Sequence, residues 1–156
     1  MLSAIYRIVL PYAHALRHRW RKLRKVRLEG VSVVARDLEG KVLLVRHSYG
    51  PQGWFLPSGG MKRGEDPVAT ARRELAEETG CTMEGARLVG QIEEELSGSP
   101  HTAHIVACIT QDVPRPDRRE VLEARFFPTH SLPEPLGPRT RSRLDFFLDP
   151  ANAAQG

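Results

Sequence analysis

Cysteine is nearly absent from this chain. Cys81 and Cys108 are the only two in 156 residues, and two so far apart make neither a disulfide framework nor a thiolate metal site. No apolar run approaches the roughly 20 residues that a membrane-spanning helix requires. The apolar stretch at the N-terminus is short, interrupted by Arg7 and Pro11, and has no basic segment before it, so it does not read as a cleavable leader. There is no internal repeat. These absences point to a cytoplasmic protein in a reducing compartment. One further absence is local. Residues 1–28 contain no acid but eight of the 23 Lys and Arg, leaving 15 basic residues against all 19 Asp and Glu in the remainder. The formal charge of +4 therefore belongs to the N-terminal segment.

What is present fits one globular domain. Hydrophobic residues make up 40% and charged residues 27%, ordinary proportions for a chain able to bury a core. Residues 26–36 and 41–46 read as buried strands joined by a turn at Glu39-Gly40. Residues 87–96 and 103–110 read as two more, joined around Ser97-Gly98-Ser99-Pro100. Residues 124–127 form a short strand. A proline-rich link then leads to a closing helix at 139–148. The expected division is a basic amphipathic extension at 1–25, a domain at 26–150, and a frayed tail at 151–156.

The densest chemistry lies between Gly59 and Cys81, GGMKRGEDPVATARRELAEETGC. Asp66 suits an N-cap, Pro67 the first helical position and Gly80 the position just past the end, so a helix is expected over 67–79. Val68, Ala71, Leu75 and Thr79 form its core stripe. Glu74, Glu77 and Glu78 share another sector of roughly 100°. Glu74 and Glu78 are a like-charge i,i+4 pair, unfavourable by about 0.2–0.5 kcal/mol, and all three oppose the helix dipole near its C-terminus. A solvated acidic face is the plain reading of such a cluster. The preceding loop argues against it, because Gly59, Gly60 and Gly64 allow the backbone to approach a ligand closely. Oxygen donors in this number suit a hard divalent cation such as Mg²⁺.

This segment resembles the signature of the Nudix hydrolases, G-x5-E-x7-R-E-U-x-E-E-x-G-U, where U is a bulky aliphatic residue. Gly59, Glu65, Arg73, Glu74, Leu75, Glu77, Glu78 and Gly80 stand at the matching positions, and only Cys81 departs, predicting slightly looser packing there. The match covers 23 residues. Trp54-Phe55-Leu56-Pro57 before it and Glu123-Ala124-Arg125-Phe126-Phe127-Pro128 after it are looser likenesses. The resemblance implies an α/β fold, the Nudix-type α/β/α sandwich with a mixed β-sheet. It implies hydrolysis of a diphosphate linkage in a nucleoside diphosphate joined to a group X, with Mg²⁺ or Mn²⁺. Carried over by position, Glu74, Glu77 and Glu78 would bind metal, helped by the backbone carbonyl of Ser58 or Gly59, and Arg73 would orient the carboxylates. Glu65 would either support the site or serve the helix dipole. The general base is Glu74 or a distant carboxylate, with Glu120 preferred to Glu123.

Substrate identity is less legible. The position fifteen residues beyond the box, where a proline would resemble the ADP-ribose subgroup, holds Leu96, and no tyrosine nearby suggests dinucleoside polyphosphates. Hydrolysis of 5′-triphosphate RNA and a catalytically inactive nucleotide-binding regulator are the alternatives. Arg46, Tyr49, His47, His101 and His104 are weaker candidates for substrate contact, and Trp54 and Phe55 for base stacking or core packing. In the extension, Leu16, Trp20 and Leu23 recur at helical spacing beneath a cationic face. Packing on the domain, an anionic membrane surface at the inner face of a membrane, and RNA phosphates remain open as its partners.

Overall fold

The computed structural model describes residues 28–153. Among them are six strands, β1 (Leu28–Arg36), β2 (Val42–His47), β3 (Ser58–Gly60), β4 (Glu84–Leu96), β5 (Ser99–Ile109) and β6 (Val121–Phe127), and three helices, α1 (Pro67–Thr79), α2 (Pro138–Leu148) and α3 (Pro150–Ala153). The N-terminal extension at 1–25, its membrane and RNA readings, and residues 154–156 lie outside the described residues. The expected tail is shorter than supposed, because Pro150–Ala153 forms a helical turn.

The strands make one mixed sheet in the order β4-β5-β1-β2-β6, with β3 joined to β1. β1 runs parallel to β5 from Leu28↔His101 to Arg36↔Ile109. Residues 30–35 are all buried, the near-continuous apolar pattern of a strand covered on both faces. On one face Val31, Val33 and Ala35 pack with Leu43, Val106 and Cys108 against Ala71 and Leu75 of α1. On the other, Val34, Val42, Leu44 and Ile105 pack with Trp54, Leu144 and Phe147 of α2. The expected α/β sandwich is thus observed. Cys81 is 1% exposed within the first cluster, so cysteine fills this position without leaving it open.

Three local expectations are revised. The glycine run is not simply a loop, because Ser58–Gly60 pairs antiparallel with β1 at Ser32↔Ser58, Val31↔Gly59 and Gly30↔Gly60. β1 contacts β2 only at Arg36↔Val42, which leaves its other half free for this short strand. The β4–β5 turn has two residues rather than four. Ser97 and Gly98 take φ of 55° and 80°, the backbone that suits the twist of a tight hairpin. β5 therefore begins at Ser99, and His101 and His104 lie inside it on opposite faces rather than at its start. Finally, Thr70 joins the buried stripe of α1 while Val68 is only partly covered.

Candidate functional site at the box helix

α1 forms where its signals predict. Asp66 accepts from the Ala69 N–H at 3.0 Å, and Gly80 at φ 70° returns its N–H to the Ala76 carbonyl. This fixes the rotation of the helix, and with Ala71 and Leu75 in the core Glu74 and Glu78 face β3.

They are not equivalent. Glu77 is 60% exposed, whereas the Glu74 side chain is 13% exposed. Arg73 Nη1 donates to Glu74 at 2.6 Å and lies 3.7 Å from Glu77. Arg73 also grips Glu65 with Nε and Nη2, both at 3.2 Å, and reaches the Gly60 carbonyl at 3.3 Å. It therefore ties the loop, the start of the helix and Glu74 together. Glu65 sits before the N-cap rather than in the first turn, so its partner is Arg73 rather than the helix dipole. The Arg73 hydrogen bond, joined by the Lys62 N–H, lowers the Glu65 carboxyl to about 2.

Glu78 is the unusual member. Burial pushes its carboxyl well above the ordinary range, and the charges of Glu74, Glu120 and Glu77 push it further. The Ser58 N–H at 3.2 Å opposes this. Glu74 is likewise raised, first by burial, with Arg73 pulling the other way. Gly59 supplies the room: a Cβ there would overlap the Glu74 carboxylate.

The register distinguishes the two carbonyl candidates. Met61 N–H donates to Glu29 and Val33 N–H to Pro57. Antiparallel alternation then makes Val31·Gly59 the hydrogen-bonded pair between them. The Gly59 carbonyl faces β1, while the Ser58 and Gly60 backbone faces α1, as the Ser58–Glu78 and Arg73–Gly60 bonds require.

Among the described residues no three His, Cys, Asp or Glu side chains are gathered tightly enough to enclose a metal by themselves. The donors nevertheless fit a hard divalent cation. They are hard oxygens, one is a buried carboxylate short of positive charge, and such ions complete their shell with water and substrate phosphate.

Glu120 and Glu123 are separated by the fold. Glu120 sits in a turn held by Asp117, whose carboxylate accepts from the N–H groups of Arg119, Glu120 and Val121, and its charge reaches Glu78. Glu123 lies on β6 and pairs with Arg46 at 3.3 Å and Arg125 at 3.1 Å. Asp117 has no motif around it, and only the turn chemistry of an Asp followed by successive free N–H groups signals it.

Beside the box lies a cavity of about 1040 Å³, lined on one side by Ser58 to Gly64 and on the other by β4, β5 and the start of α2. Of the weaker candidates, Phe55 and His101 line it. Arg46, Tyr49, His47 and His104 do not. Arg46 lies over the Trp54 ring at 5.6 Å, His47 packs between the rings of Tyr49 and Phe55, and His104 meets Glu29 at 3.3 Å. Trp54 is 8% exposed and edge-on to Phe127, which makes it core. Residues with no sequence signal complete the wall. Glu94 accepts from Arg143 at 2.7 Å, faces His101 Nδ1 at 3.0 Å and pairs with Arg139 at 3.5 Å. Gly30 was the one legible hint, a glycine inside a strand pattern; a Cβ there would press on His101 Nε2 at 3.0 Å.

Comparison with known proteins agrees with this architecture. A crystal structure of a MutT NUDIX hydrolase from Burkholderia pseudomallei superposes with a TM-score of 0.69 at 24% identity, covering 77% of this chain and 97% of that one. Diphosphoinositol polyphosphate phosphohydrolase 3-beta of Bos taurus is 37% identical over 75 residues, 48% of this chain and 46% of the relative. An RNA pyrophosphohydrolase of Roseobacter denitrificans is 40% identical over 67 residues, 42% of each chain. The chain thus spans less than half the length of these curated relatives. The family model described as NUDIX domain matches residues 26–147, and on that match the chain belongs to the NUDIX family.

Proposed function

We propose that this protein hydrolyses a diphosphate linkage in a nucleoside diphosphate joined to a group X, with Mg²⁺ or Mn²⁺. One observation carries the reading: Glu78 is a buried carboxylate crowded by Glu74 and Glu120, with only a backbone N–H in its favour. Its environment calls for a cation. Glu74, Glu77 and Glu78, with the Ser58 carbonyl, would hold the metal. The register disfavours Gly59 in that role and makes it the cradle for Glu74 instead. When bound, the ion neutralises diphosphate charge and lowers the pKa of coordinated water.

The protein's own groups do the rest. Arg73 holds the Glu74 carboxylate against the strand and remains cationic beside three acids. Glu120 is the candidate base, held in the Asp117 turn close enough for its charge to act on Glu78. It would accept the proton of the attacking water on a carboxylate oxygen. Glu74 is the weaker candidate because Arg73 occupies one of its oxygens.

A second substrate class, the 5′ end of triphosphorylated RNA, is favoured by the RNA pyrophosphohydrolase relative and by the basic residues at 1–28. An inactive regulator is disfavoured because every carboxylate of the box is present. Two free buried thiols suit a reducing cytoplasm, and no helix among the described residues is long and apolar enough to cross a membrane. The test is a panel of nucleoside triphosphates, nucleotide sugars, ADP-ribose, dinucleoside polyphosphates, diphosphoinositol phosphates and 5′-triphosphate RNA, assayed for phosphate or diphosphate release with either metal. No turnover of any member would overturn the hydrolase reading. Deleting residues 1–23 and measuring retention on anionic liposomes and RNA tests the extension; unchanged retention on both leaves packing on the domain.

A further inference from the structure

Cationic side chains outnumber acidic ones around the cavity beside the box. Lys62 and Arg63 border it from the box side and Arg139 and Arg143 from α2, against Glu29 and Glu94. Glu94 offsets one of the two arginines it touches. His101 adds no negative charge and little positive charge near neutrality, since burial holds its imidazole below the ordinary value against the pull of Glu94. A surplus of positive charge therefore remains on the wall remote from α1.

Arg143 is the informative residue. It is 5% exposed, yet its Nε has no hydrogen-bond partner, while Nη1 and Nη2 are engaged by the Arg139 carbonyl and Glu94. A buried guanidinium with an unused donor is unfavourable by itself. The first turn of α2 borders the same space. Its N-cap, Gly137, brings no side-chain hydrogen bond and no acid stands in that turn, although Pro138 has no N–H to offer and the Thr140 N–H is taken by the Gly137 carbonyl at 3.0 Å. Opposite, Gly30 leaves room for His101, whose Nδ1 lies 3.0 Å from the Glu94 carboxylate that the two arginines share.

We propose that this cavity seats a second anionic group of the substrate, a phosphate ester carried outside the bond that is cut, and that Arg139 and Arg143 are its specificity-determining residues. The proposal rests on the reading of the box as a diphosphate-cleaving site and names the chemical class of X: a phosphorylated group rather than a neutral one. An anion there meets the Arg139 guanidinium, whose side chain is 47% exposed and whose Nη2 also donates to the Glu95 carbonyl at 3.0 Å, with the buried Arg143 charge on the same wall. Planar guanidinium groups suit phosphate through paired N–H donors.

The experiment compares matched pairs that differ by one phosphate ester, NAD⁺ against NADP⁺ and dephospho-coenzyme A against coenzyme A, in the full chain with Mg²⁺. The phosphorylated member is expected to show at least about a tenfold higher kcat/KM in one pair, the effect of a charge-assisted hydrogen bond. That ratio should fall to about one in Arg139→Gln and in Arg143→Lys, each checked for native unfolding temperature. Equal kcat/KM within every cleaved pair, or a ratio unmoved by Arg139→Gln, would overturn the proposal, and a purely structural role for these arginines would leave the ratio intact. Calorimetric titration with inorganic tripolyphosphate in metal-free buffer separates this proposal from the hydrolase reading. If neither these pairs nor any member of the wider panel is cleaved, the hydrolase reading fails, while binding weakened at least about tenfold by Arg139→Gln upholds the anion site. Absent or unchanged binding rejects it.

Discussion

Replacing Gly59 with alanine tests the box at the point where sequence and geometry meet most closely. Gly59 is not among the glycines with positive φ, so its backbone tolerates alanine. The obstacle is the Glu74 carboxylate, which occupies the space of the new methyl group. That carboxylate is the far end of a flexible side chain, so it swings away rather than splitting α1 from the sheet. The expected stability loss therefore lies at the low end for overpacking, about 1 kcal/mol, or about 2–4 °C in Tm for a chain of this size. Activity should fall much further. Displacing a metal-binding carboxylate by about 1 Å is worth roughly a hundredfold in kcat/KM. The assays are thermal unfolding and steady-state hydrolysis of the best substrate, completed by a double-mutant cycle. In a Glu74→Ala background the three atoms nearest the methyl group are gone, so adding Gly59→Ala should change Tm by less than about 1 °C or raise it slightly. The reasoning is refuted if Gly59→Ala keeps kcat/KM within about threefold of wild type, or if the Tm loss is the same in both backgrounds.

Glu78→Gln should abolish turnover yet raise Tm in metal-free buffer at pH 8, because it removes a buried charge repelled by Glu74 and Glu120; a lower Tm there would contradict the geometry. The sign of its pH dependence follows from the raised carboxyl. The folded state binds the proton more tightly, so stability falls as pH rises from the ordinary value of 4.5 through the elevated one, and unfolding scans should show a steeper slope in wild type than in Glu78→Gln, where the raised Glu74 remains. Glu65 behaves oppositely. Its carboxyl is lowered to about 2, so its contribution is present above 4.5 and is lost as pH falls towards 2, and Arg73→Ala should flatten that acid limb in pH titration of unfolding. Glu120→Gln should lower kcat by about a hundredfold or more and remove the acid limb of the pH–rate profile, whereas Glu123→Gln should change kcat less than about threefold; comparable losses in both would reject Glu120 as the base.

Much of α1 was readable because its determinants are close in sequence. The Asp66 cap acts over three residues, and Gly80 answers Ala76 within the last turn. The strands at 28–36 and 42–47 are visible in sequence as runs at 26–36 and 41–46, and those at 84–96 and 99–109 as the shorter runs 87–96 and 103–110. In sequence the glycine run reads as a loop because three residues carry no period, and only the free half of the β1 edge makes them a strand. The ambiguity between Ser58 and Gly59 had the same origin, since which carbonyl faces the helix is a matter of register.

By itself the sequence determined the family, the box helix and its ends, and the set of carboxylates offered to a cation, all through signals spanning no more than 23 residues. Only the tertiary structure decided how those carboxylates differ. Burial and partners separate an exposed Glu77, an Arg73-bound Glu74 and a crowded Glu78. The fold alone brings Glu120 to the box and joins Glu94 to Arg143 across 49 residues. The reason is physical: caps and helical faces are set by bonds within a turn or two of chain, whereas desolvation and charge crowding depend on what other elements lay against it.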